Sequence, residues 1–161
     1  MNEPGRFPEG VKQDYEICLK EGRAYILVAE KNGQIIASGG VFYTIRTNIA
    51  GMCFGLVHPD YQGKGIGTSL LLSRLALLNP AEDPQHVVIC AVEKSIEFYC
   101  RFGFIPGAPW KDKHGQQHPS GHLVITGEEI KKCRNLLASH HVSFPVVEDQ
   151  IPFRERSSEV G

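Results

Sequence analysis

Apolar positions in the first half of the chain predict a two-stranded hairpin and a third strand after it. Residues 24–29 form an apolar, β-prone run, and residues 35–43 repeat that character after a polar connection. The connection contains Asn32-Gly33, the dipeptide that best tolerates the positive φ angles of a tight turn. A short helix is predicted at residues 14–21, before the hairpin, and a buried strand at residues 52–57, after it.

The second half of the chain predicts helices that alternate with short strands. In residues 65–78, Ile66 and several leucines recur near the 3.6-residue period of an amphipathic helix. Thr126 and Glu129 have the spacing of a capping box, which predicts a final helix that runs to about Ser139. The other predicted elements are a strand at 86–90, a helix at 94–102, and short strands at 104–105 and 122–125.

This order of elements predicts an α/β fold with partly parallel strand pairing. The length of 161 residues suits one domain with a single core. We divide the chain into a short N-terminal lead-in at 1–23, a core at 24–125, and a C-terminal helix with an extended tail at 126–161.

The charge balance argues against two classes of partner. Seventeen basic and eighteen acidic residues give a net charge of −1, so we expect neither nucleic acid nor a membrane surface as a partner. No apolar run approaches the ~20 residues of a membrane span, and the first residues lack the apolar region of a signal peptide. We therefore expect a cytoplasmic protein.

Five scattered cysteines without a C-x-x-C pair predict neither a disulfide framework nor a zinc ribbon. Cys53 and Cys90 lie in apolar runs, where we expect them to pack as small hydrophobic residues.

Glycines dominate the turn between the strand that ends at Val57 and the helix that follows. Gly63, Gly65 and Gly67 lack the Cβ atoms that would keep a phosphate away from the backbone. The first amides of a helix and its dipole also favour a negative charge at this position. The turn therefore predicts an anion-binding cradle, although its G-x-G-x-G spacing is neither the Rossmann nor the P-loop pattern.

Two segments resemble the signatures of the GNAT acetyltransferases. Residues 57–67, VHPDYQGKGIG, are similar to the acetyl-CoA motif V-x-P-x-x-[RQ]-G-x-G-[IL]-[GA]. Residues 95–104, SIEFYCRFGF, resemble the second signature A-x-x-F-Y-x-x-x-G-F, with Ser95 in place of alanine. Both motifs occur in the family's order and on the expected elements, and the resemblance covers about residues 24–125.

The resemblance implies a fold and an activity. The fold is an α/β (α+β) arrangement in which a mixed, mostly antiparallel sheet splays between its two central strands and is flanked by helices. The activity is transfer of an acetyl group from acetyl-CoA, as co-substrate, to a primary amine of a small molecule or peptide, by direct attack on the thioester.

The resemblance also implies which residues hold the cofactor. Backbone amides of residues 62–67, with Thr68, would bind the pyrophosphate, and the strand end would pair with the pantetheine amides. Lys64 would face the 3′-phosphate or adenine, or would be a solvated lysine. The full set of cofactor-binding candidates is Leu56, Val57, Gln62, Gly63, Lys64, Gly65, Ile66, Gly67 and Thr68.

Tyr99 matches the tyrosine that lies near the thioester sulfur in many family members. As the catalytic residue it would give a proton to the departing sulfur; the alternative is a helix tyrosine with a buried ring. The backbone N–H near Val57 would stabilise negative charge on the carbonyl oxygen. The general base stays open, because residues 45–57 contain no carboxylate. His58, Glu93 and a water relay are the alternatives.

His114, His118 and His122 are spaced at four residues, as metal ligands on a helix would be. Glycine and proline residues between them prevent that helix, so we expect a loop of solvated histidines without a metal. The loop at 106–121, with Trp110, is a candidate for contact with the acceptor.

The chain departs from the family at both ends. Only about 24 residues precede the hairpin, so the family's usual first strand is expected to be missing, whereas about 35 residues follow Ile125. The tail or a second subunit in a homodimer would cover the exposed sheet edge. The short N-terminal region and the missing carboxylate leave a non-catalytic acyl-CoA-binding or regulatory module open as an alternative. A nucleotide-phosphate binder that uses the same glycine-rich turn is a third possibility.

Overall fold

The computed structural model describes residues 11–44, 48–91, 93–112, 114–142 and 150–153. Four helices and eight strands lie in these residues. The helices are α1 (Val11–Glu21), α2 (Ile66–Ala76), α3 (Ile96–Cys100) and α4 (Gly127–Ser139). The strands are β1 (Tyr25–Lys31), β2 (Gln34–Tyr43), β3 (Ile49–Val57), β4 (Gln85–Cys90), β5 (Ile105–Pro106), β6 (Trp110–Lys111), β7 (Gln117–His118) and β8 (Ser120–Ile125).

The predicted hairpin is confirmed as β1 and β2, which pair antiparallel. Asn32 and Gly33 have φ angles of 52° and 77°, the left-handed values that a tight hairpin turn requires at both central positions. The described residues before β1 form α1 and contain no strand.

Six strands form one mixed sheet in the order β1-β2-β3-β4-β8-β5. The pairing of β3 with β4 is parallel, and the pairs on either side are antiparallel. The sheet is therefore mostly antiparallel, and helices flank it, as the resemblance implied.

The two central strands separate along their length. Their pairing runs only from Ile49 opposite His86 to Met52 opposite Ile89, and residues 53–57 of β3 continue beyond it. At the start of the unpaired part Phe54 has a φ of 52°, and the register with β2 shifts between Ser38 and Gly40. A β-bulge of this kind bends its strand, so the expected splay is present between β3 and β4.

The core lies between one face of the sheet and the helices α2 and α4. Leu71 and Leu75 of α2 are buried against strand residues such as Val87, and Ile130 of α4 belongs to the same cluster. Burying each such side chain contributes about 1.5–3 kcal/mol. The core therefore holds α2, which follows the glycine-rich turn, in a fixed position on the sheet.

Several details differ from the predicted elements. The loop at 106–121 contains the hairpin β6–β7, and α3 is a short helix preceded by a 3₁₀ turn at Glu93–Ser95. Cys90 is exposed, because strand alternation places it on the face opposite the core, so the expectation that it packs inside was wrong.

Residues 150–153 of the tail lie against the end of β2, where Tyr43 N–H donates to the Pro152 carbonyl at 2.9 Å. No helix in the described part of the chain combines the length and apolar character needed to cross a bilayer.

Candidate active site

The turn after β3 is held by its own side chains. His58 precedes the 3₁₀ turn Pro59–Tyr61, and its Nδ1 accepts the N–H of Asp60 at 3.2 Å. The side chain of Gln62 donates from Nε2 to the Val57 carbonyl at 3.1 Å. These bonds connect the end of β3 to the glycine segment, so the turn has a defined shape before any ligand arrives.

Residues 63–65 are exposed, and the backbone amides of the glycine segment have no carbonyl acceptor among the described residues. Gly63 and Gly65 have φ angles of 72° and 80°, and no atom lies within 4 Å of the position that a Cβ would take at either residue. Gly65 is the N-cap of α2, so the next three amides, of residues 66–68, have no partner within the helix. Within the described residues, the amides of residues 63–65 also donate to no carbonyl. We call residues 63–68 the cradle.

The backbone amide of Gln62 differs from those of the other residues that were predicted to bind the pyrophosphate. Its N–H donates to the Pro59 carbonyl at 3.3 Å, and its side chain bonds Val57. Gln62 therefore shapes the turn, whereas the cradle amides after it are the ones available to an anion.

Two lysine side chains, one of them from the cradle itself, lie near the Tyr61 ring. The Nζ atoms of Lys64 and Lys31 are 5.3 and 5.4 Å from the centre of the Tyr61 ring. This cation–π arrangement keeps two positive charges near the outward-facing amides. Lys64 is exposed, and its ammonium group is held near the other cradle residues. The sequence analysis did not single out Lys31.

The gap between β3 and β4 begins next to the cradle. A Cβ at Gly67 would lie 3.7 Å from the Phe98 ring and 4.0 Å from a Val57 methyl group, so the first turn of α2 touches both α3 and the end of β3. The His58 N–H donates to the Ile36 carbonyl of β2 at 2.8 Å. Because peptide groups alternate in direction along a strand, the Val57 N–H points the opposite way, into the gap.

Tyr99 of α3 reaches this gap. A Cβ at Gly55, in the separated part of β3, would lie 3.3 Å from the Tyr99 hydroxyl oxygen. The ring packs edge-on against Phe98 and Phe104, with centroid separations of 5.2 and 5.4 Å. The hydroxyl therefore lies beside the separated part of β3, and the packing of the partly buried ring explains how α3 holds it there.

Arg74 is a site residue that the sequence reasoning missed. It lies on α2, is only 2% exposed, and its Nη2 is 3.5 Å from the Tyr99 hydroxyl. Its Nε has no hydrogen-bond partner among the described residues. The available signal was a single charged residue within the otherwise apolar segment at 70–78, LLLSRLALL.

The candidates for a general base differ in how the structure places them. The His58 side chain is 23% exposed and its Nδ1 already accepts the Asp60 amide, which leaves Nε2 for other partners. The backbone of Glu93 lies in the 3₁₀ turn before α3, but its side chain lies outside what the structure describes.

The three histidines do not form the solvated loop that we expected. His118 is 8% exposed, and its Nε2 lies 2.9 Å from Asp112 Oδ2. This hydrogen bond from His118 is the main reason why the pKa of Asp112 is lowered, and backbone N–H groups of Gln116 and His114 lower that pKa further. The β6–β7 hairpin buries His118 under Trp110, whose ring centre is 5.0 Å away.

His122 lies elsewhere, on β8. Its Nε2 is 3.0 Å from Nδ1 of His86 on β4, and the two rings are stacked at an interplanar angle of 10°. His118 and His122 therefore have different partners. Trp110 stays a candidate for acceptor contact and is 39% exposed.

Comparison with known proteins identifies the family. The family model of the acetyltransferase (GNAT) domain matches residues 22–106, more than half of the chain. The chain therefore belongs to the GNAT acetyltransferases, as the resemblance of its two motifs implied.

Solved acetyltransferases share the fold at low sequence identity. Ribosomal-protein-S18-alanine N-acetyltransferase from Escherichia coli is 20% identical, with a TM-score of 0.56 over 76% of this chain and 81% of that chain. An IAA acetyltransferase from Bacillus cereus is 18% identical, with a TM-score of 0.59 over 74% and 93%. An aminoglycoside 6'-N-acetyltransferase complexed with coenzyme A is 11% identical, with a TM-score of 0.58 over 77% and 83%.

Proposed function

We propose that this GNAT protein is an acetyl-CoA-dependent N-acetyltransferase that moves the acetyl group directly to a primary amine. The observation that carries the proposal is the continuity of the cradle with the β3–β4 gap. Outward-facing amides at one end and the Tyr99 hydroxyl at the other form one path along the end of β3. A pyrophosphate joined to a thioester by a long, amide-containing chain has the chemistry that such a path would bind.

The cradle suits the cofactor's phosphates for physical reasons. Gly63 and Gly65 have open space where a side chain would lie, and the dipole of α2 adds partial positive charge at its N-terminus. Lys31 and Lys64 add full charges nearby. The residues present therefore fit a diphosphate group.

The end of β3 suits the rest of the cofactor. Residues 53–57 have lost β4 as a pairing partner, so their outward N–H and C=O groups can pair with the amides of an extended chain. Of the two residues that the family resemblance implies, Leu56 and Val57, we place Val57 in this role, because the alternation that points its N–H into the gap turns the backbone groups of Leu56 towards Ser38 of β2. The Val57 carbonyl already accepts Gln62, so the Val57 N–H is the group that stays available in the gap.

The chain's own groups divide the chemistry between them. Bound acetyl-CoA would supply an activated acetyl group as a thioester. The Val57 N–H would donate to the carbonyl oxygen as negative charge develops on it, a type of stabilisation that is often the largest catalytic contribution. As the amine forms its C–N bond and the C–S bond breaks, Tyr99 would give its proton to the sulfur, and the proton that the amine loses would pass to the base that stays open among His58, Glu93 and a water relay.

A binding assay and a turnover assay together test the proposal. Thermal shifts would be measured with CoA, acetyl-CoA, ATP and NAD, and thiol release from acetyl-CoA would be followed with polyamines, amino acids, aminoglycosides and peptide N-termini. We expect stabilisation by CoA and acetyl-CoA and thiol release with at least one amine class. Stabilisation without release would instead indicate a non-catalytic acyl-CoA-binding module, and stabilisation by ATP or NAD but not CoA a nucleotide-phosphate binder.

A further inference from the structure

Arg74 presents a charge that the proposed reaction leaves unexplained. Its guanidinium is almost completely buried, and among the residues that the structure describes its one hydrogen bond is the long one to the Tyr99 hydroxyl. None of the ion pairs within the described residues includes it. A cation buried without a carboxylate partner is destabilising, because it loses its hydration and gains little in return.

Packing alone does not account for an arginine at this position. The neighbouring core positions of α2 are Leu71 and Leu75, and both are buried. Replacing a buried charged group by an apolar side chain of similar volume is often neutral or stabilising. The guanidinium is therefore better explained by a ligand than by the stability of the helix.

Two glycines make room for the guanidinium. A Cβ at Gly39 of β2 would lie 3.0 Å from Arg74 Nε, so a larger residue there would crowd the side chain. A Cβ at Gly55 would lie 3.3 Å from both Arg74 Nη2 and the Tyr99 hydroxyl. Gly55 itself is exposed, and it belongs to the separated part of β3. An oxygen atom placed beside Gly55 would meet two hydrogen-bond donors.

The cofactor's pyrophosphate does not supply the missing negative charge. Arg74 follows Ile66, the first residue of α2, by eight positions, which corresponds to about 12 Å along the helix axis. The phosphates have their own donors in the cradle at that end. The anion that Arg74 would bind is therefore a second one, and it lies at the reacting end of the gap.

We propose that Arg74 binds a carboxylate carried by one of the two reactants. The proposal rests on the proposed acyl-transfer function and narrows its substrate class. The guanidinium's planar fork matches a carboxylate in geometry and charge. Two reactants can present this group: an amine acceptor that is itself an amino acid, or an acyl-CoA donor whose acyl chain ends in a carboxylate.

The donor arm of the test measures affinity by isothermal titration with acetyl-CoA, malonyl-CoA and succinyl-CoA. The proteins are the wild type, Arg74→Met, and Arg101→Met as a control that removes an exposed arginine of the same region. If the donor carries the carboxylate, the wild type prefers malonyl- or succinyl-CoA by about 10- to 100-fold. Arg74→Met removes this preference and Arg101→Met keeps it.

The acceptor arm measures kcat/KM for acetyl transfer to matched pairs of amines. Free amino acids are compared with their amides, and 4-aminobutyrate with 4-aminobutanamide. If the acceptor carries the carboxylate, the wild type prefers the carboxylate member by about 10- to 100-fold, mainly through KM, and Arg74→Met abolishes that preference. The two amines of a pair differ in amine pKa, but this difference affects every variant equally. It therefore cancels when the ratio of kcat/KM for the two amines is compared between variants.

The control variants keep the outcome interpretable. Thermal melts show whether Arg74→Met folds, and we expect its unliganded midpoint at or above that of the wild type because a buried charge is removed. Arg74→Lys, which keeps the charge but not the fork, should retain part of the preference.

Equal behaviour of the carboxylate and neutral reactants in both arms would overturn the carboxylate site. Measurable acetyl transfer in that case would leave the proposed function standing, whereas lack of CoA binding would remove the proposed function itself.

Discussion

In the proposed reaction, the hydroxyl of Tyr99 is the side-chain group that takes part most directly, as the proton donor to the sulfur. It lies beside Gly55 in the gap, and its loss removes a proton donor without changing the ring that packs on Phe98 and Phe104. We expect Tyr99→Phe to lower kcat about 10- to 100-fold, the low end for acid–base groups, because a thiolate leaves fairly well unaided.

The measurement is steady-state thiol release together with CoA affinity by titration. CoA affinity should be unchanged within about twofold, since the cradle's donors are backbone amides. Tyr25→Phe, a change on β1 away from the gap, serves as the control for loss of a tyrosine hydroxyl. An unaltered kcat in Tyr99→Phe would remove the general-acid role.

Gly65 allows the cradle to be tested with a matched backbone change. Gly65 and Gly22 both have left-handed φ angles, 80° and 63°, and open space where a Cβ would lie. Aspartate at either position therefore adds similar strain, about 1–2 kcal/mol. Only Gly65→Asp places a negative charge among the cradle amides.

We expect Gly65→Asp to weaken CoA binding at least 100-fold and Gly22→Asp to leave it unchanged, as measured by titration calorimetry. Urea denaturation of both variants would show whether their stabilities are comparable. Equal CoA affinities in the two variants would contradict the assignment of the cradle.

At the scale of elements, the capping box of α4 links stability to pH. The Thr126 N–H donates to Glu129 Oε2 at 2.8 Å, and the Glu129 N–H donates to Thr126 Oγ1 at 3.2 Å. The backbone hydrogen bond from Thr126 is the main reason why the pKa of Glu129 is lowered in the folded protein. Its stabilising effect is thus present above the ordinary glutamate pKa, about 4.3, and is lost as the pH falls through the lower folded value.

We therefore expect Glu129→Gln to lower the free energy of unfolding by about 0.5 kcal/mol at pH 7, because glutamine can still accept the Thr126 N–H and only the negative charge at the helix N-terminus is lost. The difference from the wild type should shrink towards zero near pH 3. Glu128→Gln, on the exposed neighbouring residue, provides the control. Urea denaturation at the two pH values measures the effect, and a difference that grows in acid would contradict the linkage.

The same elements show how far the sequence could predict the fold. The hairpin turn at Asn32-Gly33, the capping box and the cradle were predictable, because each depends on residues adjacent in the chain. The β6–β7 hairpin and the His86–His122 pair were not, because each depends on strand register. The same holds for Cys90. Its apolar run suggested that it was buried, but strand alternation places it on the exposed face of β4.

Arg74 was missed for a related reason. Its position in an apolar segment was visible, but its meaning depends on Gly39, Gly55 and Tyr99, which lie on three other elements. The sequence pattern shows that a charged residue occupies a position on the apolar face of a helix. Only the fold shows which groups surround that charge.

At the scale of the whole molecule, α2 connects the candidate site to the C-terminal helix. The N-terminus of α2 carries the cradle, and residues at its C-terminal end accept hydrogen bonds from Arg134 of α4. Arg134 Nε donates to the Ala76 carbonyl at 2.8 Å and Nη2 to the Leu78 carbonyl at 2.9 Å. Under the proposed function, one end of α2 serves CoA binding and the other end serves stability, so mutations should separate the two properties.

We expect Arg134→Met to lower the free energy of unfolding by about 2–3 kcal/mol, because two carbonyls at the end of α2 lose a charged donor. CoA affinity should stay within about twofold of the wild type.

CoA at 100 times its Kd should then raise the stability of both proteins by about 2.7 kcal/mol, since this gain depends only on affinity for the folded state. Urea denaturation with and without CoA measures both quantities, with Lys131→Met on the exposed face of α4 as the control. A much smaller CoA-induced gain in Arg134→Met would show that α4 supports the cradle through α2, and the separation of binding from stability would then be wrong.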